Sequence, residues 1–159
     1  MTGTPAVRIR ATGFVAAPPE VVSARYRDVA RWSTLFPTIA AAHVISQAPH
    51  CITVRVTHRQ AGYVLNRLTW QSPRRVVLRE SRRCFDAVFA NRFDGDNDGT
   101  RYIVEAVLRF RGACRVLACI PTAWRTALVQ RRLDLFVLQP MRTAFDPACT
   151  GARGSHGAP

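Results

Sequence analysis

The first third of the chain allows few folds. Val7 to Val15 alternates small or apolar residues with polar ones, which is the period-two pattern of a strand. It runs into Pro18-Pro19-Glu20-Val21-Val22. A proline pair cannot continue a strand, but its fixed φ and missing N–H are tolerated in a first helical turn. A short helix therefore begins there. A second turn, Arg27-Asp28-Val29-Ala30-Arg31-Trp32-Ser33-Thr34-Leu35-Phe36, stops at Pro37, and a further strand begins near His43-Val44-Ile45.

The middle of the chain reads as strands joined by short turns. In Cys51 to His58, Ile52, Val54 and Val56 share one face and Thr53, Arg55 and Thr57 the other. In the next strand, Val64, Asn66, Leu68 and Trp70 oppose Tyr63, Leu65, Arg67 and Thr69. Strands follow over Arg75 to Arg82, Phe85 to Phe93 and Thr100 to Phe110. Links this short favour an antiparallel meander. From Pro121 to about Phe145 the period becomes helical. Trp124, Leu128, Arg131, Leu135 and Leu138 recur at helical spacing, and the apolar arc is wide, as for a helix lying across a sheet. Pro140 is expected to kink the helix or end its regular part.

One strand, a helical insert, about six strands and a long last helix, with Asp-x-x-x-Trp-x-x-x-x-Pro in the insert, resemble the START-like superfamily over residues 7–146. The closest resemblance is to its polyketide cyclase/dehydrase, or aromatase/cyclase, branch. The resemblance implies an α+β helix-grip fold: a curved antiparallel β-sheet wrapped around a long C-terminal helix, with two short helices after strand 1. Length places a single START-like domain at 1–147, and residues 1–5 and 148–159, rich in Gly, Pro, Ser, Thr and Ala, read as frayed ends, the latter a flexible C-terminal tail. Between sheet and helix the resemblance implies a cavity for an apolar small molecule. An acyl carrier protein enters as the partner that would deliver a tethered chain. No cofactor is expected.

Composition bears mainly on partners. At 159 residues and 48% hydrophobic residues, the chain is long enough for one real core. Its net charge of +13 raises nucleic acid or an anionic membrane surface as partners. However, all 23 basic residues are Arg, no run exceeds two, and no aromatic-interleaved basic motif occurs. Specific nucleic-acid binding is therefore not expected, and an Arg-driven attraction to anionic surfaces ranks last among the readings. No apolar run approaches the roughly 18 residues of a membrane span, and the N-terminus lacks the pattern of a secretory signal. A cytoplasmic location is the expectation. The five cysteines, Cys51, Cys84, Cys114, Cys119 and Cys149, form neither Cys-x-x-Cys nor a zinc spacing and read as buried reduced thiols.

The candidate chemistry is sparse. No Ser-His-Asp order, phosphate loop, His-Glu-x-x-His or cysteine-nucleophile context occurs. The resemblance implies an Arg near the end of the strand from Tyr63 to Trp70, where a fixed cation meets the charge developing on a ketide or enolate oxygen. That place holds Arg67 or Leu68, one register apart and therefore on opposite faces. Arg67 is the catalytic candidate. Leu68, Trp70, Phe85, Phe89, Trp124, Leu128 and Leu135 are the ligand-binding candidates, although the same residues can equally fill a closed core. Glu105 and Asp134 are carboxylates whose Arg neighbours make ion pairs the simpler reading, and His43 and His58 lie on strands. Two classes of function remain. A cyclase needs at least two polar groups converging inside the cavity, whereas a carrier or sensor of a lipid, quinone or polyketide needs shape and one anchor. Asp94 to Glu105 matches the calcium loop of an EF-hand in its acidic positions and its glycine, but both flanks alternate like strands, so a hairpin turn with no metal is expected. Micromolar calcium should leave the melting midpoint in place, whereas tight binding to the native state would raise it.

Overall fold

The computed structural model describes residues 6–146, with the side chains of 117–119 excepted. The expectations for residues 1–5, for the tail at 148–159, for the Cys119 thiol and for Cys149 lie outside the described residues. The strands are β1 (Ala6–Val15), β2 (Ile39–Ala48), β3 (Cys51–His58), β4 (Gly62–Ser72), β5 (Arg75–Ser81), β6 (Phe85–Asp96) and β7 (Gly99–Phe110). They form one antiparallel sheet in the order β1-β7-β6-β5-β4-β3-β2. Every neighbour is a sequence neighbour except β1, which closes against β7. Between β1 and β2 lie α1 (Pro19–Arg27), a 3₁₀ turn (Val29–Arg31) and α2 (Trp32–Leu35). This is the expected helix-grip architecture, with its inner face covered by the insert and the C-terminal helix.

Proline explains the start of α1. Pro19 occupies the first helical turn, and the Pro18 carbonyl accepts from the N–H groups of Val21 and Val22. The Trp32 indole N–H donates to the Tyr26 carbonyl at 2.8 Å, which folds the 3₁₀ turn and α2 back onto α1. Trp32, Tyr26, Phe36, Phe93 and Tyr102 pack as one aromatic cluster, with the Phe93 and Tyr102 rings stacked 4.8 Å apart. This cluster fills one end of the grip.

At the β6–β7 hairpin the strands run further than expected, to Asp96 and from Gly99, which leaves Asn97 and Asp98 as the turn. Asn97 has φ 30, a left-handed value that asparagine tolerates. A Cβ at Gly99 would strike the Val15 carbonyl and the Phe14 ring, so glycine is required there. Asp94 pairs with Arg92, Asp96 with Arg101, and Glu105 with Arg10. Three carboxylates of the calcium-like motif, Asp94, Asp96 and Glu105, are thus each turned to a separate arginine.

The last helix departs from expectation in two ways. It consists of α3 (Thr122–Leu133), a π-helical turn (Asp134–Leu138) and α4 (Gln139–Ala144). Pro140 does not end it, because the π turn immediately before takes up the missing N–H and the ring's clash with the preceding turn. The extra residue also rotates the helix. Leu133, Leu138 and Met141 are buried, with Val129, Val137 and Ala144 against the core. Trp124, Leu128 and Leu135 instead point to solvent, at 75%, 59% and 44% exposure. They are corrected from ligand-facing to outward-facing.

The thiols also need correction. Cys51, Cys84 and Cys114 are free, but none is fully buried and Cys84 is exposed: Cys51 opens β3, Cys84 lies between β5 and β6, and Cys114 sits in the 3₁₀ segment Gly112–Cys119 after β7. No helix among the described residues is long and apolar enough to cross a membrane.

Trp32→Ala should cost about 3–5 kcal/mol in denaturant unfolding, since it removes a buried indole from a packed cluster. Trp124→Ala should stay within about 0.5 kcal/mol. A large loss at Trp124 would contradict the helix orientation.

Candidate functional site

Beside the aromatic cluster the grip is not filled. An inner space of about 130 Å³ is lined by Tyr26, Trp32, Phe36, Leu78, Phe89, Val104, Phe136 and Val137, with Asn66, Asn91, His58 and Glu80 as its polar members. A larger space of about 650 Å³ shares Thr38, His58, Glu80, Phe89, Phe136 and Val137 with it and adds Arg59, Gln60, Arg82, Phe85, Val129 and Arg132. The second is the mouth of the first.

Strand alternation decides which candidates reach this space. Leu68 faces inward but is fully buried among core side chains and lines neither space. Trp70 packs on the core edge beneath the Arg27 guanidinium, 5.6 Å from its ring centre, away from the cavity. Phe85 and Phe89 do line it. Arg67 does not. It lies on the outer, convex face, opposite Thr53 and Arg79, and its guanidinium N–H donates to Cys51 Sγ at 3.1 Å. The parity of β4 that turns Leu68 inward turns Arg67 outward, so Arg67 is corrected from cavity catalyst to outer-face residue.

The cavity holds other polar groups instead. Asn91 Nδ2 donates to the Val76 and Phe89 carbonyls, and its Oδ1 accepts from Tyr102 Oη at 2.7 Å. Burial pushes the Tyr102 and Tyr26 phenols well above their usual pKa, so both stay protonated. Asn66 is 3% exposed, and its Oδ1 has no hydrogen-bond partner. An unmet buried acceptor costs about 1–3 kcal/mol, which a donor brought in by a ligand would offset.

Directly opposite Asn66 in the sheet is Glu80. Its carboxylate is ion-paired to Arg82, with both side chains mostly buried. Arg82 Nη2 lies 2.8 Å from His58 Nε2. A guanidinium only donates, so Nε2 accepts and the ring proton resides on Nδ1. Burial holds the His58 pKa below its ordinary 6.5, Arg82 pushes it the same way, and Glu80 opposes them in part. The wall therefore presents a neutral imidazole N–H, a guanidinium, a carboxylate and an amide oxygen to an otherwise apolar space. Sequence reasoning noted His58 only as a strand histidine and assigned no role to the others. Asn66 and Asn91 did carry a signal, each being the one amide on an apolar strand face. His58, Glu80 and Arg82 meet only through tertiary structure.

No known protein-family profile matches the chain. No curated protein matches it in sequence. Solved structures do match in shape. Zhui aromatase/cyclase from Streptomyces sp. R1128 superposes with a TM-score of 0.72 at 16% identity, over 97% of this chain and 100% of that one. The di-domain aromatase/cyclase StfQ of the steffimycin biosynthetic pathway gives 0.73 at 12% identity, over 92% of this chain. The chain spans about half of StfQ, 52% of its length. A START superfamily protein from Mycobacterium smegmatis gives 0.69 at 12%, over 89% and 98%. The chain has the START-like helix-grip fold. Polyketide aromatase/cyclases are among the proteins that share it, and at these identities the likeness speaks for architecture alone.

A histidine whose folded pKa is depressed contributes stability that is present above the unfolded value, near 6.5, and is lost as pH falls through the folded midpoint. The His58 NMR titration should therefore have its midpoint below 6.5. Arg82→Gln should raise that midpoint and Glu80→Gln should lower it. A wild-type midpoint at or above 6.5 would contradict the contact with Arg82.

Proposed function

We propose that the chain is a polyketide cyclase/aromatase-like protein, which binds a poly-β-ketone in the grip cavity and assists aldol closure and dehydration. The observation that carries this reading is the convergence of Asn66, Glu80, Arg82 and His58 on an apolar space. Apolar walls fold the chain and hold its reacting carbons together, which supplies much of the rate. In this reading the Arg82 guanidinium and the His58 Nδ1–H stabilise the charge that develops on an enolate oxygen. Glu80 is the acceptor for the proton leaving the α-carbon. The enolate carbon then attacks a ketone carbonyl of the same chain, the alkoxide takes up a proton, and loss of water follows. Arg82 thus replaces Arg67 in the role that the resemblance implied. The inner Asn66 carbonyl accepts from an enol or phenol hydroxyl. Phe85 and Phe89 are the apolar contacts kept from the sequence reading. An acyl carrier protein presenting the chain at the mouth is the partner this reading calls for.

A carrier or sensor of a hydrophobic small molecule is the second reading, and one observation favours it. Arg67, the charge that the resemblance assigned to catalysis, faces away from the cavity. Two measurements separate the readings. With a hydroxylated anthraquinone as probe, Asn66→Leu should weaken binding roughly tenfold, equivalent to ~1.4 kcal/mol, while leaving an unsubstituted aromatic hydrocarbon unaffected. With a poly-β-ketone generated by a minimal polyketide synthase, the wild type should shift products toward one cyclised compound. Glu80→Gln should abolish that shift and leave probe affinity within about twofold. A wild-type product profile equal to that without protein would leave the carrier reading.

A further inference from the structure

The convex face of the sheet carries a second feature, which the function proposed for the cavity does not use. One lateral row of residues crosses five strands in register: Arg8 on β1, Val107 on β7, Val88 on β6, Arg79 on β5 and Arg67 on β4. Arg109 stands beside it on β7, two residues along and on the same face. These six residues line a shallow groove of about 650 Å³. Val88 and Val107 lie along its middle with arginines to either side, and Asn66, Glu80, Ser81 and Asp86 also line it.

The arginines are not placed for stability. Arg67 and Arg79 are direct cross-strand partners, and like charges placed so are destabilising. No ion pair involves Arg8, Arg67, Arg79 or Arg109 among the described residues. The nearby carboxylates are already engaged, Asp86 with Arg111 and Glu105 with Arg10. Among the described residues these four guanidinium groups thus make no ion pair, although Asp86, which is paired to Arg111, stands directly opposite Arg109.

We propose that this groove docks a protein helix with an apolar stripe flanked by carboxylates. Width supports a helix. Three strand spacings separate Arg8 from Arg79, or about 14 Å across the valine floor, and a helix with its side chains is about 10–12 Å across. Chemistry supports an acidic protein over the other anions. A duplex has no use for an apolar floor. A lipid surface needs a protruding apolar element, and here the valines lie below the arginine rim. Guanidinium forks meet carboxylates in bidentate pairs, so Arg8 and Arg109 would take one flank of the helix and Arg67 with Arg79 the other.

The test uses the full chain and a synthetic 18-residue helical peptide with a leucine stripe flanked by glutamates, followed by fluorescence anisotropy. The double variant Arg67→Thr/Arg79→Thr should bind at least roughly tenfold more weakly, as for loss of close charge pairs. The double variant Arg25→Gln/Arg131→Gln, with the same loss of charge on the helices, should stay within about twofold. A peptide of the same composition with the stripe scrambled should lose about fivefold or more. The Arg67/Arg79 variant should also melt no lower than wild type, because a repulsive pair has been removed. Equal weakening in both double variants would reduce the effect to net charge and overturn the proposal, as would equal binding of the scrambled peptide. Tighter binding of duplex DNA or of phosphatidylglycerol vesicles through the same two arginines would overturn it in favour of those anions.

Discussion

The hydrogen bond from the Trp32 indole to the Tyr26 carbonyl governs where this molecule is full and where it is empty. It sets the elbow between α1 and α2, and so fixes the depth at which Tyr26, Trp32 and Phe36 enter the grip. Phe93 and Tyr102 meet them from the sheet. Together these rings form one packed block, and Tyr26, Trp32 and Phe36 also line the inner space. The cavity is therefore not a packing defect scattered through the core. It is bounded by this block and by Phe136 and Val137 of the C-terminal helix.

That space has a polar wall whose members lie far apart in sequence. His58 ends β3, Glu80 is near the end of β5, Arg82 follows it, and Asn66 is mid-strand on β4. The antiparallel meander brings them to one side because neighbouring strands place these inward positions in adjacent rows. Charges inside an apolar enclosure interact strongly, but each must have a partner. Here Glu80, Arg82 and His58 partner one another, and of these four residues Asn66 is the one with an unsatisfied buried atom, its Oδ1. A ligand hydroxyl is the missing donor, which is why this single atom says more about the ligand than the apolar lining does.

The strands were legible because half-buried antiparallel strands show their two faces directly in the residue alternation. The proline-opened helix and the turn at Pro37 were legible for a similarly local reason. The helix face was not. Apolar residues surround the last helix, so Trp124, Leu128 and Leu135 form a stripe as regular as the buried one that Val129 and Leu133 begin, and a π turn then brings Leu138 and Met141 into line with the buried side. Arg67 failed through parity, since a one-residue uncertainty in placing a motif on a strand is an error of a whole face. Asn66 was within reach of sequence reasoning, as a lone amide among Val64, Leu68 and Trp70. The His58–Arg82–Glu80 chain was not, because no local pattern joins residues across three strands.

The pairing of β1 with β7 has a kinetic side. Every other strand pair joins neighbours along the chain through a short turn, while Ala6 meets Arg109 across about a hundred residues. The entropy of closing so long a loop must be met before that edge yields any contact in return. The six-strand meander can assemble locally, but the grip is complete only when the first strand arrives. The C-terminal helix packs against β1, so it has no finished seat until then. Synthesised first, β1 waits for β7, and the ligand space comes into being with the last long-range pairing to form.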